Sequence, residues 1–203
     1  MGLITVPSLE DILQYNGYYE LIRDHIAYYT FETLRNLLES CGFEVLEEEM
    51  INRDTLSVIV RKTEDGAPGA ESGTAPAKVD VSGLTASRRY IDDEVNRLVD
   101  RLHGEGKALA IWGASHQGFT LAATTRLGDK VSYIIDSAPF KQGRFAPTSH
   151  LPIVAPAHFA EEPVDAILIV APGYTEEIAG IIREKFGNSV EILALKTDHL
   201  ETL

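Results

Sequence analysis

The sequence predicts an α/β protein whose second half is built on a parallel sheet, and three observations predict it. Apolar runs at 108–112, 131–136, 165–171 and 190–195 alternate with helix-length segments at 116–126, about 157–161 and 175–186. Near-continuous apolar strands separated by helices mark a parallel sheet covered on both faces. The first run ends on a glycine turn, Trp112-Gly-Ala-Ser-His-Gln-Gly118, and the second closes on Asp136. Residues 64–87 are rich in Gly, Pro, Ala and Ser over at least their first half and hold no apolar period, as expected of a linker. The expected organisation is a segment 1–63, a linker 64–87 and a domain 88–203.

In chain order, Leu3-Ile-Thr-Val6 reads as a short strand stopped by Pro7. Ser8 is placed to cap a helix through Glu10, Ile12 and Leu13. A tyrosine-rich stretch from Tyr15 to Tyr29 follows. Thr30 then caps a helix whose Phe31, Leu34, Leu37 and Leu38 fall at helical spacing, and Gly42 terminates it. Phe43-Glu-Val-Leu46 and Thr55 to Arg61 read as an antiparallel pair joined by the polar turn near Asn52-Arg-Asp54. One helix on so small a sheet is little for independent stability, so this segment reads as part of something larger. Beyond the linker, a helix starts at or near Ser87 and runs to about His103, with Tyr90, Ile91, Val95, Leu98, Val99 and Leu102 as its apolar positions.

The chain has 203 residues, a formal net charge of −13 and 44% hydrophobic residues. That charge argues against non-specific nucleic-acid binding, which needs a positive surface. The apolar runs are too short to span a bilayer, and no basic stretch with a cleavage site follows Met1. A single cysteine, Cys41, excludes an internal disulfide, and no Cys/His grouping has zinc spacing. A cytoplasmic protein without a metal is the expectation.

The Gly113–Gly118 turn has the layout of a βαβ nucleotide-binding unit, in which a helix N-terminus offers N–H groups to phosphate. Gly113 and Gly118 stand where the first and third fingerprint glycines belong, but Ser115 stands in place of the middle one. That glycine allows close approach of a pyrophosphate, so ordinary dinucleotide binding is weakened. Asp136 lies near the spacing of a ribose-binding carboxylate. Gln117 replaces the glycine that a nucleophile elbow needs, which disfavours a serine hydrolase. Lys141 and Arg144 flank Gly143 in an otherwise acidic chain and are candidate phosphate partners. The plainer alternatives are a turn kept for packing and a solvated loop. Asp24-His25 is the best candidate for acid–base chemistry, since an imidazole titrates near neutrality; on spacing alone His25 reads first as a structural histidine.

Two passages carry a resemblance. Gly2-Leu-Ile-Thr-Val-Pro, then Ile22-Arg-Asp-His-Ile-Ala-Tyr-Tyr-Thr30 through Gly42-Phe-Glu-Val, resembles the last third of the catalytic domain of sugar C-methyltransferases dependent on S-adenosylmethionine (SAM). Trp112-Gly-Ala-Ser to Asp136, Pro139-Phe-Lys-Gln-Gly-Arg and Ser149-His-Leu-Pro-Ile-Val154 resemble the Rossmann-like C-terminal domain those enzymes carry. The implied fold is that domain preceded by a partial class I methyltransferase sheet. By the resemblance, Asp24-His25 matches the family's acid–histidine pair, with aspartate where glutamate is usual. His25 would take the proton beside the carbonyl of a nucleotide-linked ketosugar, and the enolate would attack the SAM methyl group. Tyr28 or Tyr29 would position the sugar. Gly113, Ser115, Gly118, Asp136, Lys141 and Arg144 would help enclose the nucleotide.

The departures from the family pattern are large. The cysteine-rich zinc module and the acidic-glycine turn that binds SAM have no counterpart, and no G-x-G precedes Asp24-His25. The expectation is therefore a C-terminal portion, or one part of a split enzyme, that binds no cofactor and methylates nothing alone. Its partners would be the nucleotide sugar and either the missing half or a second copy through the bare edge of strand Leu3–Val6. The competing readings are a nucleotide-binding module without chemistry and an NAD(P)-dependent oxidoreductase fragment. The latter is disfavoured by Ser115 and by the lack of a Tyr-x-x-x-Lys pair after Asp136.

Overall fold

The computed structural model describes residues 1–22, 25–52, 54–63, 78–196 and 199–203. Asp24 and the body of the expected linker, residues 64–77, lie outside the described residues. The chain divides into two units, one of Met1–Asn16 and Arg23–Leu84, the other of Gly17–Ile22 and Thr85–Leu203.

The N-terminal unit is a three-stranded antiparallel sheet in the order β1-β3-β2, from β1 (Gly2–Pro7), β2 (Phe43–Ile51) and β3 (Thr55–Lys62). Helix α1 (Leu9–Gln14) starts at Ser8, whose hydroxyl accepts the Asp11 N–H at 3.1 Å. Helix α2 (Phe31–Ser40) is fixed by a reciprocal cap in which the Thr30 hydroxyl accepts from Thr33 N–H and the Thr33 hydroxyl from Thr30 N–H. The Glu10 carboxylate adds a third bond, from Phe31 N–H at 3.0 Å. Leu34 and Leu38 pack on Leu56, Val58 and Val60, every second residue of β3. Strand β2 continues past the expected end at Leu46 to Ile51, through a register shift between Val45 and Glu47. Its run of glutamates is compatible with a strand because the half-exposed edge lets Glu48 pair with Arg35, and Glu44 with Arg61.

The C-terminal unit opens on helix α3 (Ser82–Gly104), which begins before the expected Ser87; its N-terminal residues up to Leu84 still group with the first unit. The expected linker end at residue 87 is thereby corrected, since the Asp80 carboxylate accepts Ser82 N–H at 2.9 Å and starts the helix there. Six strands follow in the order β6-β5-β4-β7-β8-β9: β4 (Leu109–Trp112), β5 (Val131–Ile135), β6 (Ile153–Val154), β7 (Ala166–Ile169), β8 (Glu191–Lys196) and β9 (His199–Thr202). All neighbours are parallel except β8 and β9. Strand β9 was not expected from the sequence. Helix α5 (Thr175–Phe186) packs Ile178, Ala179 and Ile182 into the core that holds Ala110 and Trp112. Helix α4 (His116–Thr124) lies on the Ile111 face, so both sides of the sheet are covered. The segment expected as a helix at 157–161 is a single 3-10 turn, Pro156–Ala160, which includes His158.

Candidate functional site

Numbered within its own unit, the strand order places the reversal of direction between β4 and β7, where open α/β sheets hold their ligands beyond the strand carboxyl ends. The glycine turn leaves β4 at that point. Gly113 has φ +127°, and a Cβ there would sit 2.5 Å from the Val170 carbonyl oxygen at the end of β7. A Cβ on Gly118 would collide with the Gly113 carbonyl oxygen. Both glycines are therefore required by the strand-to-helix turn itself. Ser115 is the N-cap of α4, its hydroxyl accepting from Gly118 N–H at 3.4 Å.

Asp136 reaches this turn from the end of β5. Its Oδ2 accepts from Ala114 N–H at 2.9 Å and from Lys141 Nζ at 3.0 Å, and its Oδ1 from Ala138 N–H at 2.8 Å. The Gln142 amide donates to the Asp136 carbonyl. Gly113, Ser115, Gly118, Asp136 and Lys141 lie together here, where the carboxylate braces the turn and pairs with Lys141.

Arg144 is elsewhere. Gly143, at φ +74°, turns the chain so that 143–146 runs beside β6. There Gly143 N–H donates to the Ile153 carbonyl, Ile153 N–H to that of Arg144, and Ala146 N–H to that of Leu151. A groove of about 370 Å³ opens there, lined among others by Arg144, Phe145, Pro152, Val154, His158 and Glu161. His150 has φ +55° and bonds through its N–H to the Ala146 carbonyl, closing this loop. His158 lies between Glu161 and Glu162 at 3.3 and 3.5 Å and stacks edge-on against Tyr133. The Tyr133 hydroxyl donates to the Glu162 carbonyl, and burial pushes its pKa up to about 12.

His25 belongs to the N-terminal unit and is exposed, with its ring edge-on to Tyr28 at 5.7 Å between centroids. Tyr29 does another job: its carbonyl accepts Leu9 N–H at 2.8 Å and its side chain packs on the sheet core. Tyr28 is therefore the tyrosine beside the histidine.

One cluster had no sequence signal beyond the tyrosine-rich composition. Gly17–Ile22 belongs to the C-terminal unit, where Tyr18 and Tyr19 are buried. The Tyr18 hydroxyl lies 3.3 Å from the Thr124 hydroxyl, and burial raises its pKa. Glu20 meets His116 Nε2 at 2.8 Å and accepts from the Gln117 amide. Among the described residues no group of three metal-ligating side chains converges, and no helix is long and apolar enough to cross a membrane.

The strand order and the turn at its reversal define a doubly wound, Rossmann-like α/β domain. Residues 82–192 match the family model of the C-methyltransferase C-terminal domain, and the chain belongs to that family. The chain is also similar to the C-methyltransferase NovU of Streptomyces niveus, at 27% identity over 192 residues. That alignment covers 86% of this chain and 45% of the relative, so the chain spans about half of the relative's length.

Proposed function

We propose that this chain is the substrate-holding part of a SAM-dependent C-methyltransferase acting on a nucleotide-linked ketosugar, and that it transfers no methyl group alone. The observation that carries this reading is the reach of the similarity. It covers 86% of the chain, more than residues 82–203 could supply, so it extends into the unit that bears His25. An exposed imidazole beside a tyrosine ring supports the proposed chemistry. His25 takes the proton from the carbon next to the sugar carbonyl, Tyr28 orients the ring, and the resulting enolate carbon is the nucleophile.

SAM would supply the methyl group in the complete enzyme. The described residues of the N-terminal unit do not fit it, since their three strands are all antiparallel and none leads through a glycine turn into a helix. The glycine turn of the C-terminal unit already has Ala114 N–H bonded to Asp136. No methyl-transfer step is therefore assigned to this chain's residues. The SAM-binding part is proposed as the partner, pairing a strand with the outer edge of β1, which has no neighbour among the described residues.

The test is co-expression with the SAM-binding half of a C-methyltransferase, assayed with a nucleotide-linked ketosugar and SAM. Methylated product is expected only from the pair, and His25→Ala should slow its formation by about a hundredfold or more. Unaltered turnover in His25→Ala would remove the proposed base. Sugar binding without product in the co-expressed pair would favour the non-catalytic binding module instead.

A further inference from the structure

We propose that Glu20 is a positioning residue for the proposed base His25, acting by pinning the stretch Gly17–Ile22 onto the first turn of α4. This rests on the reading above, because the role of His25 belongs to it.

The chain that carries His25 is anchored on both sides. Downstream, Tyr29 bridges to Ser8 and its carbonyl accepts Leu9 N–H at 2.8 Å, all within the N-terminal unit. Upstream, Gly17–Ile22 groups with the C-terminal unit, although the residues before and after it do not. This stretch holds a single 3-10 turn, Tyr18–Glu20, closed by Glu20 N–H on the Gly17 carbonyl and Leu21 N–H on that of Tyr18. His25 follows Ile22 by three residues, so the chain can carry it no further than about 11 Å from that anchor.

Two kinds of contact hold the turn, and they do different things. Tyr18 and Tyr19 are buried, and the Tyr18 hydroxyl lies 3.3 Å from that of Thr124, the last residue of α4. Burial of two aromatic side chains supplies the adhesion. Glu20 grips the other end of the helix. Its Oε2 meets His116 Nε2 at 2.8 Å and its Oε1 accepts from the Gln117 amide, the first two residues of α4. The side chains of His116 and Glu20 are 46% and 27% exposed, and a pair so open to water adds little stability. What it adds is orientation, since a carboxylate bonded at both oxygens to two separate donors cannot swivel. The tyrosines hold the turn on α4, the carboxylate sets its angle, and of these three anchors Glu20 stands nearest His25 in sequence. Orientation matters at the base because a misplacement of about 1 Å can cost about a hundredfold in rate.

The experiment has two arms. In the whole chain alone, nitrogen-15 relaxation should give backbone order parameters of about 0.8 or more at residues 25–28, falling below about 0.6 in Glu20→Ala, with α4 unchanged. In the co-expressed pair, Glu20→Ala should lower kcat about tenfold or more and leave the KM for the ketosugar within about twofold. Glu20→Gln keeps one acceptor and gains a donor for the Gln117 side-chain carbonyl, so its rate should stay within about threefold of wild type. His116→Ala combined with Gln117→Ala should match Glu20→Ala, and adding Glu20→Ala to them should change nothing further. A Glu20→Gln variant as slow as Glu20→Ala would show that the charge acts on the reaction itself, which overturns positioning. A rise in KM at constant kcat would overturn it as well, as would order parameters at 25–28 that ignore Glu20→Ala. A wild-type pair that makes no product would overturn the methyl-transfer reading instead, and the relaxation arm would still decide whether Glu20 pins the chain that leads to His25.

Discussion

The two units answer the same problem with unequal means. In the N-terminal unit α2 covers one face of three strands, and burial along β3 alternates residue by residue. Leu3, on the opposite face, is 68% exposed, and the outer edge of β1 is unpaired among the described residues. In the C-terminal unit every residue of β4 and β7 is buried, because helices cover both faces. The difference shows which part is self-sufficient. A doubly covered parallel sheet closes its own core, whereas a three-stranded sheet with, among the described residues, a helix on one face only and one unpaired edge sits near the lower limit of independent stability. The family model matches residues 82–192, all but the first three of them in the C-terminal unit, and the proposed catalytic histidine sits in the N-terminal one.

The largest effect should come from cutting the complete core. Leu168 is fully buried in β7, and Leu168→Ala should cost about 2–5 kcal/mol. Trp112, the single tryptophan, is buried on neighbouring β4, so its fluorescence in urea reports this unit alone. The matching change in the smaller core, Leu56→Ala, should leave the Trp112 midpoint in place and remove part of the far-ultraviolet circular dichroism at lower urea. If Leu56→Ala drags the Trp112 midpoint down by a similar amount, the units unfold as one and the contrast fails.

A smaller effect separates glycines that packing requires from those it does not. Gly118→Ala brings a methyl group against the Gly113 carbonyl and should cost about 1–3 kcal/mol. Gly180 lies within α5 with nothing within 4 Å of its virtual Cβ, so Gly180→Ala should stabilise the same unit by about 0.5–1 kcal/mol. Equal signs in thermal melts of the two variants would show that the turn relaxes around an added methyl.

The C-terminal strands were legible because burial on both faces writes continuous apolar runs, and α5 falls on 175–186 as expected. Strand β9 was not legible: His-Leu-Glu-Thr carries no apolar alternation, and its pairing comes only from β8. Tyr15, Tyr18 and Tyr19 look alike in sequence, yet Tyr15 is exposed and the other two are buried, a distinction that tertiary packing alone makes. At the site, spacing found Gly113, Gly118 and Asp136, since turn geometry is local. It did not reveal that Asp136 serves Ala114 and Ala138, because hydrogen-bond partners are not a property of spacing. Nor could it separate Lys141 from Arg144, which the left-handed Gly143 sends to different places.

A further effect concerns pH and belongs to the complete unit alone. Tyr133 is a buried residue of β5, and loss of hydration holds its hydroxyl proton up to a pKa of about 12, against 10.0 for a free tyrosine. The unfolded chain therefore releases this proton first as pH rises. The folded state is favoured fully below pH 10 and loses that advantage between about pH 10 and pH 12. Burial of Tyr18, in the same unit, acts in the same direction. Urea midpoints followed by Trp112 should accordingly fall across this window, and Tyr133→Phe should flatten the fall. That variant leaves the Glu162 carbonyl without its donor, so its midpoint at neutral pH should already be lower. The slope above pH 10, not the neutral value, is the quantity that tests burial of the hydroxyl. An unchanged slope in Tyr133→Phe would assign the alkaline limit to Tyr18.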